Sequence, residues 1–204
     1  MRALEAGCKP LEFKGGEPVL GVRSIPSHGT AADLMSLTHS GPESESILIA
    51  RLAARRMWDE DKASQALGMS LADIGPGFAV LSMTVRADMA NGHGMCHGGF
   101  MFLLADSAFA FACNSHNQRA VAAGAEIHFV APAKVGDVLT ARATEQHREG
   151  RSGFYDVRVT DQNDALIALF RGRSATIKGN LVEDVGSTPA IAQGTSADSP
   201  GHQS

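Results

Sequence analysis

Residues 97 to 106 read HGGFMFLLAD, and the apolar run that begins at Gly98 continues to Cys113. Glycines stand at its front, and a single carboxylate, Asp106, interrupts it. The run is shorter than the roughly 20 apolar residues that a bilayer-crossing helix needs. Its apolar residues leave no polar face, so as a helix from His97 to about Asn114 it has to be enclosed by other structure. Any fold for this chain must therefore wrap something around that segment.

The flanking sequence supplies the wrapping. In ESILIARLAARRMWDEDKASQAL, Ile47, Ala50, Leu52, Ala54 and Met57 recur at helical spacing, which predicts a helix from Glu45 that Gly68 ends. GPGFAVLSMTVR follows as a strand, with Ala79, Leu81, Met83 and Val85 on one face and Ser82, Thr84 and Arg86 on the other. After the central helix come four strand-like stretches, near 120–130 and from 137, 153 and 165, separated by PAKVGD, EGRSG and QNDA. Strands joined by short turns pair antiparallel. The expected class is α+β, an antiparallel sheet curled around one long helix. The expected domain runs over residues 45–178. Residues 1–44 and 179–204, rich in Gly, Pro, Ser and Thr, are expected to be disordered extensions.

A net charge of -4 gives no electrostatic case for nucleic acid or an anionic membrane as partner. Cys8, Cys96 and Cys113 form no disulfide framework, and the N-terminus lacks a signal-peptide core. The expected location is the cytoplasm.

The front of the central helix carries possible chemistry. A helix N-terminus presents unpaired N–H groups and partial positive charge. The amides of Gly98 and Gly99 are placed to polarise a carbonyl, or the two glycines simply make a turn. Asp106 is either a structural carboxylate bonded to backbone or to Ser107, or a desolvated general base with a raised pKa. Eight residues of helix separate Gly98 from Asp106, about 12 Å. One reacting carbonyl cannot lie within about 3 Å of both. If both act on one bond, they come from different subunits of at least a dimer, with the site at the interface.

The stretch NGHGMCHGGFMFLLADSAFAFACNS, Asn91 to Ser115, with the later APAKVGDVLTARA and ALFRGRS, resembles the hotdog-fold acyl-CoA thioesterases, in particular the phenylacetate-degradation branch. The resemblance implies the hotdog fold, a homodimer or homotetramer with sites between subunits, and hydrolysis of phenylacetyl-CoA or hydroxyphenylacetyl-CoA-like thioesters to acid and coenzyme A. It makes Gly98 the carbonyl-polarising amide and Asp106 the general base or nucleophile. It has Asn91 position water or carbonyl, and His97 orient the turn. The Ser or Thr that assists the acid in some relatives is replaced here by Ala122 and Ala123.

Other features point less far. Arg171, Arg173 and Lys134 are either contacts for coenzyme A phosphates or ordinary solvated strand ends. His93, Cys96, His97 and His116 match no common zinc spacing, so no metal and no cofactor are expected. Cys96 lacks a base as a nucleophile, and Cys113 and Phe100, Phe102, Phe109 and Phe111 read as core. No G-x-S-x-G elbow, P-loop or dinucleotide fingerprint occurs. Two alternatives to the thioesterase are an acyl-thioester dehydratase or hydratase of the same fold, and a non-catalytic acyl-CoA-binding module.

Overall fold

The structure is a computed structural model that describes residues 44–183; the expectations for the two extensions lie largely outside the described residues. Helices α1 (Glu45–Glu60) and α2 (Lys62–Ala66) precede strands β1 (Ser70–Gly75) and β2 (Phe78–Thr84). A short 3-10 turn, Ala87–Met89, leads to helix α3 (Gly98–Asn114). Strands β3 (Gln118–Phe129), β4 (Val138–Glu149), β5 (Ser152–Thr160) and β6 (Leu166–Asn180) complete the chain. All pairings are antiparallel, and the strand order is β1-β2-β4-β5-β6-β3.

Helix α3 lies against one face of this sheet, the inner face. Alternation decides what it meets: Ala79, Leu81 and Met83 from β2, Leu139, Ala141 and Ala143 from β4, and Tyr155, Val157 and Val159 from β5 are all buried. Phe109 of α3 stacks edge-on to Tyr155 at 5.4 Å and tilted to Phe170 at 5.9 Å. A Cβ on Gly172 would stand 2.9 Å from the Phe109 ring, so only glycine lets the helix seat this deeply.

Three details differ from expectation. The first helix is broken at Asp61, whose backbone leaves the helical region (φ -80°, ψ 80°) while its side chain accepts from the Ser64 N–H and caps α2. Strand β1 has no alternating signature in the sequence, because SLADIG is short and its register shifts between Leu71 and Asp73. The third is the burial of α3. Met101, Leu104, Ala105, Ala108, Phe109 and Ala112 are buried, but Phe102, Leu103, Asp106 and Ala110 form a half-exposed stripe. One sheet covers one side of a helix, so a single chain does not enclose it.

Consecutive residues fasten the C-terminal end of α3. Asn114 donates to the Ala120 carbonyl at 3.1 Å and accepts the Ala120 N–H at 2.9 Å, joining the helix to β3. Ser115 Oγ accepts the Gly77 N–H of the β1–β2 turn at 2.7 Å. His116 Nε2 lies 2.8 Å from Glu145 Oε2 on β4, and the buried Tyr155 hydroxyl of β5 donates to that same oxygen at 2.7 Å. Asn117, with φ 62°, accepts from the N–H groups of Leu181 and Val182 and donates to the Val182 carbonyl. Ordered structure thus reaches a few residues past the expected boundary at 178.

Strand β3 occupies one end of the sheet. Among the described residues only β6 pairs with it, and its burial pattern is exposed at nearly every position. Val121 is 48% exposed and Phe129 52%. A twelve-residue edge bearing apolar side chains and unpaired backbone groups is a template for another strand.

Candidate active site

The N-terminal end of α3 is built by a tight turn. The Asn91 N–H donates to the Met95 carbonyl at 2.7 Å, and its carbonyl accepts the Gly94 N–H at 2.9 Å. Gly94 takes φ +72°, a conformation L residues rarely adopt. The Asn91 side-chain Oδ1 accepts from His93 N–H at 2.8 Å and Met95 N–H at 3.3 Å, which leaves its Nδ2 without an acceptor among the described residues. Met95 then bridges to Lys134, and the Cys96 N–H donates to the Ala133 carbonyl.

His97 is the N-cap. Its Nδ1 accepts the Gly99 N–H at 3.0 Å, and its carbonyl accepts the Phe100 N–H at 3.0 Å. Of the first three amides of α3, only that of Gly98 has no acceptor among the described residues. The two glycines therefore have different duties, which the sequence did not separate. Gly99 closes the cap, and Gly98 is left with a free donor at the positive end of the helix. A Cβ on Gly98 would lie 2.8 Å from Cζ of Phe129, the tip of a half-exposed ring, so a larger residue there would push that ring aside.

Asp106 sits two turns along α3 on the half-exposed stripe. Ser107 is not its partner; the Ser107 hydroxyl lies 2.9 Å from that of Ser64 on α2. No hydrogen bond or ion pair reaches Asp106 from the described residues, and burial pushes its pKa above the ordinary aspartate value. The uninterrupted helix preserves the spacing to Gly98, about 12 Å along the axis and roughly 80° around it.

The structure brings Asn91, His97, Gly98 and Lys134 to one end of α3 and keeps Asp106 apart from them within a chain. Arg171 and Arg173 are elsewhere. They alternate with the inward Phe170 and Gly172, so they project from the outer face. Arg171 forms a two-pronged pair with Asp156 at 2.6 and 2.8 Å, and Arg173 Nη2 donates to the Ala123 carbonyl. A depression of about 460 Å³ on that outer face includes Arg142, Asp156, Arg158 and Arg171 in its lining and has no residue of the Gly98 end. Cys96 and Cys113, the cysteines among the described residues, are buried: burial raises the pKa of the Cys96 thiol and is the main cause that pushes Cys113 up to about 12. His116 is engaged with Glu145, away from His93 and His97.

A helix seated on a curved antiparallel sheet, with a free amide at its N-terminus, can be compared with known proteins. Residues 93–168 match the model of the thioesterase superfamily. Over 128 residues the chain is 45% identical to the acyl-coenzyme A thioesterase PaaI of Escherichia coli, covering 63% of this chain and 91% of that protein. The chain belongs to the thioesterase superfamily. Its fold is the hotdog, as the superposition on the solved E. coli PaaI shows: TM-score 0.64 and 44% identity over 65% of this chain and 96% of that one. A mutant of the phenylacetic acid degradation protein PaaI from Thermus thermophilus gives a TM-score of 0.56 at 38% identity, covering 57% of this chain and all of that one. As a superfamily member the protein is a thioester hydrolase, and α3 is the hotdog's central helix. No helix among the described residues is long and apolar enough to cross a membrane.

Proposed function

We propose that this protein hydrolyses acyl-CoA thioesters of the phenylacetyl-CoA or hydroxyphenylacetyl-CoA kind, giving the free acid and coenzyme A. The single observation that carries the reading is the pairing of two unsatisfied groups: a Gly98 amide with no acceptor and an Asp106 carboxylate with no partner among the described residues. The Gly98 N–H and the helix dipole polarise the thioester carbonyl and hold the oxyanion as it forms. Asp106, desolvated and more basic than an ordinary aspartate, takes a proton from water as that water attacks the carbonyl carbon. The tetrahedral intermediate collapses with loss of the coenzyme A thiolate. Asn91 Nδ2 orients the water or the carbonyl, and Lys134, at the same end of α3, is the cation best placed for a coenzyme A phosphate.

The roughly 12 Å between Gly98 and Asp106 requires that each site take its amide from one chain and its carboxylate from a partner. The exposed β3 edge is the surface through which two copies join, as a homodimer or as half of a homotetramer. The names of the E. coli and T. thermophilus relatives support the acyl-CoA substrate and a place in phenylacetate breakdown. The buried free thiols of Cys96 and Cys113 suit the cytoplasm.

The test is a panel of acyl-CoA substrates, with released thiol measured on wild type and Asp106→Ala. Turnover greatest on arylacetyl-CoA and lost in the variant is expected. An Asp106→Asn protein with full turnover would make the carboxylate structural and overturn the reading. A single turnover in labelled water checks the base: label found in Asp106 itself would make it a nucleophile instead.

A further inference from the structure

Phe129, near the end of β3, was not singled out by the sequence. In the β3–β6 register it pairs with Ala168, and Ile127 pairs with Phe170; both partners are buried, so Ile127 and Phe129 belong to the inner series of β3. Yet Phe129 is 52% exposed, whereas the inner aromatics Phe109, Tyr155 and Phe170 are buried. Its contact with Gly98 explains the position of the ring. From a Cβ built on Gly98, Cζ lies at 2.8 Å and both Cε1 and Cε2 at 3.3 Å. The ring therefore meets the glycine with its tip, and its flat faces are not used by that contact. Gly98 has no positive φ, so backbone strain does not demand glycine there; a Cβ would instead displace the Phe129 ring. Within one chain a half-open aromatic face thus stands at the last residue of the β3 edge assigned to the subunit interface, beside the Gly98 amide that has no acceptor among the described residues, with His97 and Phe100 in edge contact at 6.4 Å on the same turn.

We propose that Phe129 is a specificity-determining wall of the acyl subsite, stacking on a flat aromatic acyl group while the Gly98 amide holds the neighbouring carbonyl. The inference rests on the thioesterase reading and names the part of the substrate that this chain selects. An apolar ring face next to the carbonyl subsite favours the apolar acyl group over the amide-rich arm of coenzyme A. An aryl group adds an offset-stacked or edge contact to simple area burial, worth about tenfold in selection over a straight chain.

The experiment compares phenylacetyl-CoA with hexanoyl-CoA on the full chain, by thiol release, in wild type, Phe129→Leu, Gly98→Ala and Gly98→Ala/Phe129→Ala. Phe129→Leu is expected to lower kcat/KM about tenfold on phenylacetyl-CoA, through KM, and to leave hexanoyl-CoA within about twofold. Gly98→Ala keeps its N–H but collides with the ring. The displaced ring should lower kcat/KM about tenfold on both substrates, and the double variant should return hexanoyl-CoA to within about twofold of wild type. Equal losses on both substrates in Phe129→Leu, no loss on either, or a double variant no better than Gly98→Ala would each overturn the proposal. Unfolding of Phe129→Leu would also overturn it, by making the ring part of the core. Wild type that releases thiol from neither substrate would overturn the functional reading itself; wild type active on both, with unselective variants, would overturn only the role of Phe129.

Discussion

The Gly99 N–H is donated to Nδ1 of His97 at 3.0 Å, and this bond decides which amide of the helix end stays free. If the cap were absent, both glycine amides would compete for any acceptor and the first turn would fray. His97 therefore acts on chemistry through backbone order.

His97→Ala removes the cap acceptor. We expect a loss of about 1 kcal/mol, a fall in Tm of a few degrees, and a larger proportional fall in kcat than in KM. His97→Asn, which can still accept from the Gly99 amide, should recover most of both. Thermal unfolding and thiol-release kinetics on the two variants check this; equal behaviour of Ala and Asn would remove the cap from the account.

Asp106 carries a pH signature in both activity and stability. Its pKa is raised in the folded protein by burial, so the carboxylate is destabilising when ionised. That penalty is absent below the unfolded pKa of about 3.9 and appears in full once the pH passes the higher folded value. Asp106→Asn should therefore be more stable than wild type at neutral pH, with the difference fading on acidification. Its turnover should fall by about a hundredfold or more. The acid limb of kcat/KM in wild type should lie above the ordinary aspartate value. Denaturant titrations across pH, beside a pH–rate profile, measure all three.

Shared sites make a sharper prediction. A heterodimer of one Gly98→Ala subunit and one Asp106→Asn subunit, isolated with two affinity tags, has one unaltered site and one that carries both substitutions. It should retain about half of wild-type turnover, although each parent homodimer falls well below that. A heterodimer as inactive as its parents would place both groups of a site on the same chain.

At the far end of α3, Glu145 gathers Tyr155, His116 and Arg148. Burial raises the Glu145 pKa, but the hydrogen bonds from Tyr155 and His116 and the charges of His116 and Arg148 together hold it below the usual glutamate value. A lowered carboxylate contributes stability above its unfolded pKa of about 4.3 and loses it as pH falls through the folded one. Tyr155→Phe should cost about 1–2 kcal/mol at neutral pH. The advantage of wild type over Glu145→Gln, read by urea unfolding, should shrink below about pH 4.

Much of the fold could be read from local pattern. The alternation of Ala79, Leu81, Met83 and Val85 and the all-round apolar run after Gly98 each reflect a single period over many residues. Strand β1 escaped because its bulge breaks that period within six residues. At the site, Gly98, His97 and Asp106 announce themselves by type and spacing. Phe129 does not, because 31 positions separate it from Gly98 and only the return of β3 past the helix end brings them together. The pairing of Arg171 with Asp156 was hidden for the same reason: it is a cross-strand neighbour set by β5–β6 register.

The Asn117 clasp on Leu181 and Val182 has a practical use. It ties Leu181 and Val182 close to the C-terminal end of α3, and the helix's 17 residues put that end about 25 Å from Gly98. A dye attached at Glu183 would sit nearer to Asp106, about 12 Å along the helix from Asn114, than to the Gly98 and Phe129 of its own chain. Energy transfer between two such dyes would report when subunits meet, in real time and during turnover.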